Sequence, residues 1–260
     1  MKFEAGSLIW PGGRLDRLND GPLSFGPDFM RDTYGAKVPD PLVLQVQAYL
    51  LRREGQAPVL FDTGSGRFEG DAGGNVARDL ARLGVDPAEI GTVALTHLHS
   101  DHCGGMETMD FAKARIVLTK AEFDHWSGSD HISARLLARY ADQVALCPDG
   151  AEIAPGVTLW SLPGHTPGHA GFIIDGQVVV TGDLMHRADL QLPDPRVATQ
   201  FDVLPDLAKA TRFAALERME AMAVAFCGGH LRVPGEEILP EGRPYLRLAR
   251  DGQGWRGMPA

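Results

Sequence analysis

The 260-residue chain has few cysteines and no excess of positive charge. Its three cysteines, an odd number, are too few for a disulfide framework, so we expect reduced thiols. A formal net charge of −9 leaves no broad cationic surface that would attract phosphate backbones. Nucleic acid is therefore excluded as the expected partner.

Long apolar runs are missing as well. No segment approaches the roughly 18 consecutive apolar residues of a membrane-spanning helix, so no membrane partner is expected. The first residues, MKFEAG, lack the basic segment followed by an apolar segment that is typical of a signal peptide. Together with the few cysteines, this predicts a cytoplasmic protein.

What the chain does contain is a series of short apolar segments that alternate between strand-like and helix-like spacing. Hydrophobic residues make up 44% of the sequence, enough for a sizeable core. The pattern has no internal repeat or linker, and it predicts one mixed α/β domain over residues 1–260. Residues 11–41 are rich in Gly, Pro and Asp, and residues 1–41 are expected to form an irregular N-terminal arm. Strands are predicted at 42–51, 57–61, 92–95, 115–118, 157–161, 171–174, 177–180, 223–227 and 245–248, and helices at 75–83, 133–140 and 205–222.

The most informative segment is THLHSDHCGG at residues 96–105, directly after a predicted strand. It brings three histidines and one aspartate, at positions 97, 99, 101 and 102, into six consecutive residues. Imidazole and carboxylate are ligands that borderline divalent metals such as Zn2+ prefer. The loop therefore offers parts of two metal sites, and it needs further ligands to complete either.

The missing ligands are expected at other strand ends, because loops at one edge of a sheet commonly carry function. His165, Asp183 and His230 each follow a predicted strand, and His169 lies four residues beyond His165. Taken singly, such residues are more often caps, turn residues or core residues than ligands. The two incomplete sites in the first loop favour the ligand interpretation.

As a set, these motifs resemble those of metallo-β-lactamase superfamily hydrolases: FDTG at 61–64, the His-x-His-x-Asp-His loop, and then His165, Asp183 and His230. The likeness extends over roughly residues 42–232. It implies an α/β fold of the αββα sandwich type, with the metal site at one edge of the paired sheets. Further segments are similar to methyl parathion hydrolase and its lactonase relatives, namely GDLMH at 182–186, DP at 194–195, QFD at 200–202 and GHL at 229–231.

The resemblance implies two Zn2+ ions per chain, with other divalent metals such as Mn, Fe or Co as alternatives. It assigns His97, His99 and His165 to the first ion, Asp101, His102 and His230 to the second, and Asp183 to both. It also gives catalytic roles to Asp183 and Asp101. Asp62 and His169 are expected beside the ligands, where Asp62 would support the histidine loop through hydrogen bonds.

The implied reaction is hydrolysis by a hydroxide shared between two metals. The expected substrates are lactones or other small neutral esters, with phosphotriesters as a promiscuous class, and a homodimer is implied. A glyoxalase II-like thioester hydrolase and a mononuclear-iron, persulfide dioxygenase-like oxidoreductase share the fold and stay open as alternatives. A metal-binding module without activity is a third, and turnover would separate it from the enzymes.

A hydrophobic substrate pocket is expected next to the metals. Its candidate residues are Phe25, Phe29, Trp126, Met185 and His186. For the four apolar residues the alternative is burial in the core. His186 would donate a hydrogen bond to the substrate, or else support the fold near the site. His125 and His131, on either side of Trp126, are interpreted as surface or packing residues.

Overall fold

The computed structural model describes residues 1–68, 70, 73–236, 242–252 and 254–260. Within these residues the chain forms two large sheets, one two-stranded ribbon and six α-helices. The helices are α1 (Val76–Arg82), α2 (Ser100–Cys103), α3 (Lys120–Trp126), α4 (Ile132–Arg139), α5 (Ala188–Gln191) and α6 (Pro205–Met222).

The first sheet combines an antiparallel half with a parallel half. Its strands, in spatial order, are β1 (Lys2–Glu4), β2 (Ser7–Trp10), β3 (Gly13–Phe25), β5 (Leu42–Arg52), β6 (Val59–Phe61), β7 (Thr92–Ala94), β8 (Arg115–Leu118) and β9 (Val144–Leu146). Neighbouring strands are antiparallel from β1 to β6 and parallel from β6 to β9. The short strand β4 (Met30–Arg31) pairs with β14 (Ala198–Thr199) in the separate ribbon.

The second sheet is mostly antiparallel. Its strands, in spatial order, are β10 (Glu152–Ala154), β11 (Val157–Ser161), β12 (Ala170–Ile174), β13 (Val178–Val180), β15 (Ala225–Cys227), β16 (Leu246–Asp251) and β17 (Gly254–Pro259). Only β13 and β15 run parallel among the strand pairs of this sheet in the described residues. Helix α6 connects these two, as a parallel crossover requires.

Alternating side chains give both sheets two apolar faces. In β13, Val178 and Val180 pack between the sheets, whereas Val179 packs with residues of α6. In β8, Val117 faces the second sheet, whereas Ile116 packs with residues of α1 and α4. Because successive side chains of a strand point to opposite faces, each sheet is covered by its partner on one side and by helices on the other. The predicted αββα sandwich is confirmed.

The N-terminal residues differ from the prediction. The expectation that residues 1–41 form an irregular arm is wrong, because β1, β2 and β3 extend the first sheet and β3 pairs with β5 along its length. The register of that pair shifts between Asn19 and Gly21, where Gly21 has φ +144°, and this bulge breaks the period-two pattern. Asp16 and Asp20 are also buried in the strand, although acidic residues are typical of loops.

The chain's polar motifs lie where strands end at one shared edge of the sandwich. Asp62 follows β6, residues 97–102 follow β7, His165 follows β11, Asp183 follows β13 and His230 follows β15.

No helix in the described part of the chain combines the length and the hydrophobicity that a membrane span requires.

Candidate metal centre

The structure brings all seven predicted ligands together at the shared edge, in two adjoining clusters. In the first cluster, Nε2 of His97 and Nε2 of His165 each lie 3.0 Å from Nδ1 of His99. The three ring nitrogens therefore face one another around a common point. Such a set of imidazoles can hold one divalent ion.

The second cluster contains one carboxylate and two imidazoles. Oδ2 of Asp101 lies 3.5 Å from Nε2 of His102 and 3.4 Å from Nε2 of His230. Helix α2 begins between the two clusters, directly after His99, so its first turn carries Asp101 and His102 toward the second cluster. One loop thus contributes to both clusters, as its spacing suggested.

Asp183 lies between the clusters. Its Oδ2 is 3.5 Å from Nε2 of His165 in the first cluster and 3.3 Å from Nε2 of His230 in the second, while its Oδ1 is 3.3 Å from Nε2 of His102. A carboxylate in this position can bind an ion on either side. Its geometry is that expected of a ligand shared by two metals.

His169 fixes the backbone of Asp183. The Nδ1–H of His169 donates to the carbonyl of Leu162 at 2.8 Å, which leaves Nε2 as an acceptor for the N–H of Asp183 at 2.9 Å. Gly182 has φ +52°, and a Cβ there would crowd the His169 ring and Thr96. A glycine before Asp183 therefore allows this close approach.

Hydrogen bonds at the far nitrogen orient three of the candidate ligands. The Nδ1–H of His102 donates to Oδ2 of Asp62 at 2.8 Å, and the Nδ1–H of His165 donates to Oδ1 of Asp202 at 3.0 Å. His230 donates from Nδ1 to a backbone carbonyl, that of residue 45, at 3.1 Å. Carboxylate and carbonyl oxygens only accept, so Nδ1 of each ring carries a proton, and in the neutral ring that binds a metal the lone pair of Nε2 faces the cluster.

His97 has the same tautomer for a different reason. The hydroxyl of Thr96 donates to Oδ2 of Asp62 at 2.8 Å, so its oxygen accepts the Nδ1–H of His97 at 3.1 Å. The backbone N–H of Thr96 also donates to Oδ1 of Asp62, at 2.7 Å. Asp62 thus hydrogen-bonds to His102 in the second cluster directly and to His97 in the first through Thr96.

Electrostatics keep the first cluster ready for a cation. Burial and the neighbouring imidazoles hold the pKa of His97 and of His99 well below the ordinary histidine value, so both rings are neutral. Burial by itself would raise the pKa of Asp183, but His102 and His230 outweigh it and lower that pKa well below its usual range. The shared carboxylate is therefore ionised next to the neutral rings of His97 and His99.

The donor set fits divalent metal ions. Nε2 of His102 and Oδ1 of Asp183 are buried, and no hydrogen-bond partner for them occurs in the described part of the chain. Leaving buried polar atoms unpaired costs free energy, which a cation between them would offset. Nitrogen and carboxylate ligands without thiolates suit zinc and other borderline ions.

A cavity of about 200 Å³ opens beside both clusters. Its lining combines apolar and polar residues: the apolar ones are Leu23, Phe25, Phe29, Leu44 and Phe201, and the polar ones are His99, Ser100, Asp101, His131, His165, Asp183, His186 and His230. The ring centroids of Phe25 and Phe29 lie 4.5 Å apart, and Phe201 lies 6.1 Å and 5.7 Å from them. Three aromatic rings therefore form a continuous apolar wall next to the candidate metal ligands.

Three of the five predicted pocket residues line the cavity, and two do not. Phe25, Phe29 and His186 face it, whereas Met185 is fully buried among the core residues under α6. The prediction for Met185 is therefore wrong, because its backbone is extended (φ −146°, ψ 150°) and adjacent side chains then point in opposite directions. Trp126 does not line the cavity; its ring packs against the ring of His99, which does, with 5.6 Å between the centroids.

His186 lies close to the shared carboxylate. Its Nε2 is 3.1 Å from Oδ2 of Asp183, and its ring stacks on that of His230 at 5.1 Å. His165, Asp183 and His186 also form a third group whose atoms could hold a metal. The residue thus contacts the site more directly than the sequence indicated.

Several residues of the site had no clear sequence signal. Leu23 lies in the segment that is expected to be an irregular arm, and it lines the cavity. His131, expected to be a surface or packing residue, lines it as well. Phe201 and Asp202 lie in a segment that resembles the lactonase branch, but their roles were not predicted. Glu122 is buried and hydrogen-bonds to both histidine loops, which only the folded structure reveals.

Comparisons with known proteins agree with this geometry. The family model of the metallo-beta-lactamase superfamily matches residues 41–230. An N-acyl homoserine lactonase from Bacillus sp. is 30% identical over 171 residues, which cover 57% of this chain and 67% of that protein. An N-acyl homoserine lactonase from Bacillus cereus is 27% identical over 223 residues, covering 77% of this chain and 87% of the relative.

A solved structure extends the likeness to nearly the whole chain. AidC, a dizinc quorum-quenching lactonase in complex with a product, N-hexanoyl-L-homoserine, superposes with a TM-score of 0.83, covering 98% of this chain and 96% of that one. Its sequence identity is 18%, so this likeness concerns the fold alone. With the family match and the lactonase relatives, the conclusion is that this chain belongs to the metallo-beta-lactamase superfamily and is a metal-dependent hydrolase.

Proposed function

We propose that the chain is a dizinc lactonase that opens the ring of small neutral lactones with an apolar substituent. The observation that carries this proposal is the shared position of Asp183 between two ligand clusters, at the base of an aromatic-walled cavity. N-acyl homoserine lactones are the first substrates to test, because the curated relatives act on them.

Each cluster would hold one zinc ion. His97, His99 and His165 would bind the first, Asp101, His102 and His230 the second, and Asp183 both. Bound in this way, a pair of divalent metals lowers the pKa of water from 15.7 toward roughly 7 and polarises the oxygen of an electrophile.

The protein's own groups position the reactants and handle protons. Oδ2 of Asp183 is the carboxylate oxygen nearest both clusters, so it would accept a hydrogen bond from the attacking water and direct that proton toward the leaving oxygen of the opened ring. Nε2 of His186, 3.1 Å from that oxygen, would keep it oriented. Asp101 would act as a ligand beside the reacting carbonyl.

The cavity supports a neutral substrate. None of the described residues that line it is a lysine or an arginine, so apart from the proposed metals it offers no Lys or Arg cation to a carboxylate or phosphate. The rings of Phe25, Phe29 and Phe201 would bury an apolar substituent, such as a short acyl chain. A neutral phosphotriester meets the same requirements, which supports promiscuous phosphotriesterase activity.

The alternatives are less well supported. A glyoxalase II-like enzyme needs basic residues for an anionic glutathione thioester, and the described cavity wall carries no lysine or arginine. A persulfide dioxygenase-like enzyme uses one iron with two histidines and one aspartate, whereas seven candidate ligands converge here. Metal analysis separates the second alternative, because it requires one iron per chain.

We further infer a homodimer of single-domain chains that works in a reducing compartment such as the cytoplasm. The unpaired state of Cys103, Cys147 and Cys227 supports the compartment. Light scattering of the purified chain tests the dimer directly: a mass of about one chain would contradict it.

A substrate panel tests the proposed reaction class. Zinc-loaded protein would be given N-acyl homoserine lactones of increasing acyl length, dihydrocoumarin, a glutathione thioester and a neutral phosphotriester. We expect the highest kcat/KM on a lactone. A preference for the thioester would contradict the proposal and favour the glyoxalase II-like alternative.

A further inference from the structure

Glu122 is a buried carboxylate that is not among the candidate ligands. It lies in the first turn of α3 and is 1% exposed. Its Oε1 accepts the backbone N–H of Leu98 at 2.8 Å and the indole N–H of Trp126 at 2.7 Å, and its Oε2 accepts the hydroxyl of Thr166 at 2.6 Å and the N–H of Gly168 at 3.1 Å. Four donors satisfy this buried carboxylate, as burial of such a group requires.

Three of the four donors come from the two loops that carry the first cluster. Leu98 lies between His97 and His99, and Thr166 directly follows His165. Thr166 and Gly168 donate to Oε2 and Leu98 donates to Oε1, so one rigid carboxylate links the two loops. The distance between His165 and the other two histidines therefore depends on this carboxylate.

Close packing reinforces this tie. A Cβ at Gly168 would collide with the backbone of Glu122, so the loop after β11 rests directly on the first turn of α3. The hydroxyl of Thr119 donates to the carbonyl of Gly168 at 2.7 Å and accepts the N–H of Glu122 at 3.2 Å. Loop and helix thus share a fixed contact around the carboxylate.

Trp126 extends the influence of Glu122 to the ring of a candidate ligand. Its indole N–H is held by Glu122, and its ring meets that of His99 edge to face at 5.6 Å. His99 is the ligand whose Nδ1 faces both other nitrogens of the cluster. The indole of Trp126 therefore restrains the orientation of the His99 ring.

The second cluster is anchored by other groups. His102 donates to Asp62, and its carbonyl accepts the N–H of Thr63 at 2.7 Å. His230 donates to the carbonyl of Gln45. The four donors to Glu122 include neither of these histidines nor their anchors.

We propose that Glu122 is a positioning residue that sets the geometry, and thereby the zinc affinity, of the His97–His99–His165 cluster but not of the Asp101–His102–His230 cluster. This inference rests on the proposed metal centre. An outer group that holds ligands in place typically affects metal affinity by about 10- to 100-fold.

Two single-site backgrounds test the proposal. His230→Ala would leave the first cluster to bind zinc, and His99→Ala would leave the second. Glu122→Gln is then added to each, since its amide NH2 would face two of the N–H or O–H donors and lose those bonds. Zinc affinity is measured by competition with a chromophoric chelator. We expect a loss of roughly 10- to 100-fold in the His230→Ala background and no change in the His99→Ala background.

Two further variants make the result specific. Asp124→Asn removes a carboxylate from the exposed side of the same helix, where it pairs only with Lys120 in the described contacts, and should leave both affinities unchanged. Thr166→Val removes one donor to Glu122 and should weaken the first site in the same direction, by less. If Glu122→Gln does not fold, Thr166→Val carries the test.

The outcomes separate this role from general stability and from the proposed reaction. Equal loss at both sites, or no loss at the first, would overturn the proposal. A wild-type chain that binds two zinc ions but opens no lactone would contradict the proposed function, while the pattern of affinities still decides the role of Glu122. A wild-type chain that binds zinc at neither cluster would overturn both.

Discussion

Asp62 and His102 form a 2.8 Å hydrogen bond that links the end of β6 to the second ligand cluster. The same carboxylate accepts two hydrogen bonds from Thr96 and so supports His97 in the first cluster. One residue outside the ligand set therefore orients a ligand of each candidate site.

Replacing Asp62 with Asn should weaken zinc binding without straining the backbone. Asp62 has φ +58°, a conformation that Asn adopts more readily than most residues, so the change tests the hydrogen bonds. The amide has one acceptor oxygen where the carboxylate has two, so it loses at least one of the three hydrogen bonds from His102 and Thr96. We expect about a 10- to 100-fold loss of zinc affinity. Chelator competition measures it; an unchanged affinity would show that His102 does not need this partner.

Phe201→Ala should raise KM for lactones with an apolar acyl chain and leave kcat little changed. The ring is 44% exposed at the cavity wall, so its loss removes substrate contact more than core packing. Loss of about 1 kcal/mol of contact corresponds to roughly a fivefold higher KM.

The control for Phe201 is a comparably exposed ring elsewhere. Phe213→Ala, in α6 beside Trp255, should leave KM unchanged. Steady-state kinetics with long-chain and unsubstituted lactones measure both variants. An equal KM increase for the unsubstituted lactone would argue against a role of Phe201 in binding the chain.

Met185 should affect stability and not substrate binding. Met185→Ala leaves a void in the core under α6, and we expect a loss of about 2–5 kcal/mol in the free energy of unfolding. Met185→Leu conserves volume and should cost less than about 1.5 kcal/mol, with KM unchanged. Urea denaturation and kinetics together check this. A change in KM for Met185→Leu would indicate instead that Met185 contacts the substrate.

Removing metal should destabilise the chain as well as inactivate it. Without an ion, buried groups such as Nε2 of His102 and Oδ1 of Asp183 have no hydrogen-bond partner among the described residues. A ligand at 1,000 times its Kd stabilises the folded state by about 4 kcal/mol. Thermal unfolding with EDTA and after zinc is restored measures this shift. The same Tm in both states would contradict a metal centre built from these residues.

The fold was largely predictable because its central strands follow simple patterns. In β13 and β8 the apolar residues are uninterrupted, as is typical of strands covered on both faces. The predicted helix at 205–222 coincides with α6, which begins with a proline at its first position. The boundaries of these elements depend on local sequence, so they can be inferred without tertiary contacts.

The N-terminal strands were missed because tertiary contacts override their local sequence. Asp20 is fully buried, and its carboxylate accepts N–H groups from Ser65 at 2.9 Å and Val76 at 3.2 Å. Those partners lie some 45 and 56 residues away along the chain. A buried acid with distant donors is indistinguishable from a loop residue in the sequence.

The candidate ligands were predictable, whereas the groups that hold them were not. The spacing of His97, His99 and His102 is itself the signal, since one short loop serves both clusters. Glu122 gains its importance from donors 24 and 46 residues away, at Leu98 and Gly168. Only the fold determines which polar residues hydrogen-bond to the loops that carry the candidate ligands.

Turnover of N-hexanoyl homoserine lactone by the zinc-loaded chain, beside Asp183→Asn, tests the central claim most directly. Zinc content and thermal unfolding are recorded on the same samples, and ring opening is followed by the proton released. We predict hydrolysis by the wild type and a loss of about 100-fold or more in the folded variant, since a ligand shared by two metals should matter at least as much as the groups behind the ligands. A wild type that holds two zinc ions per chain and leaves the lactone intact would contradict the account.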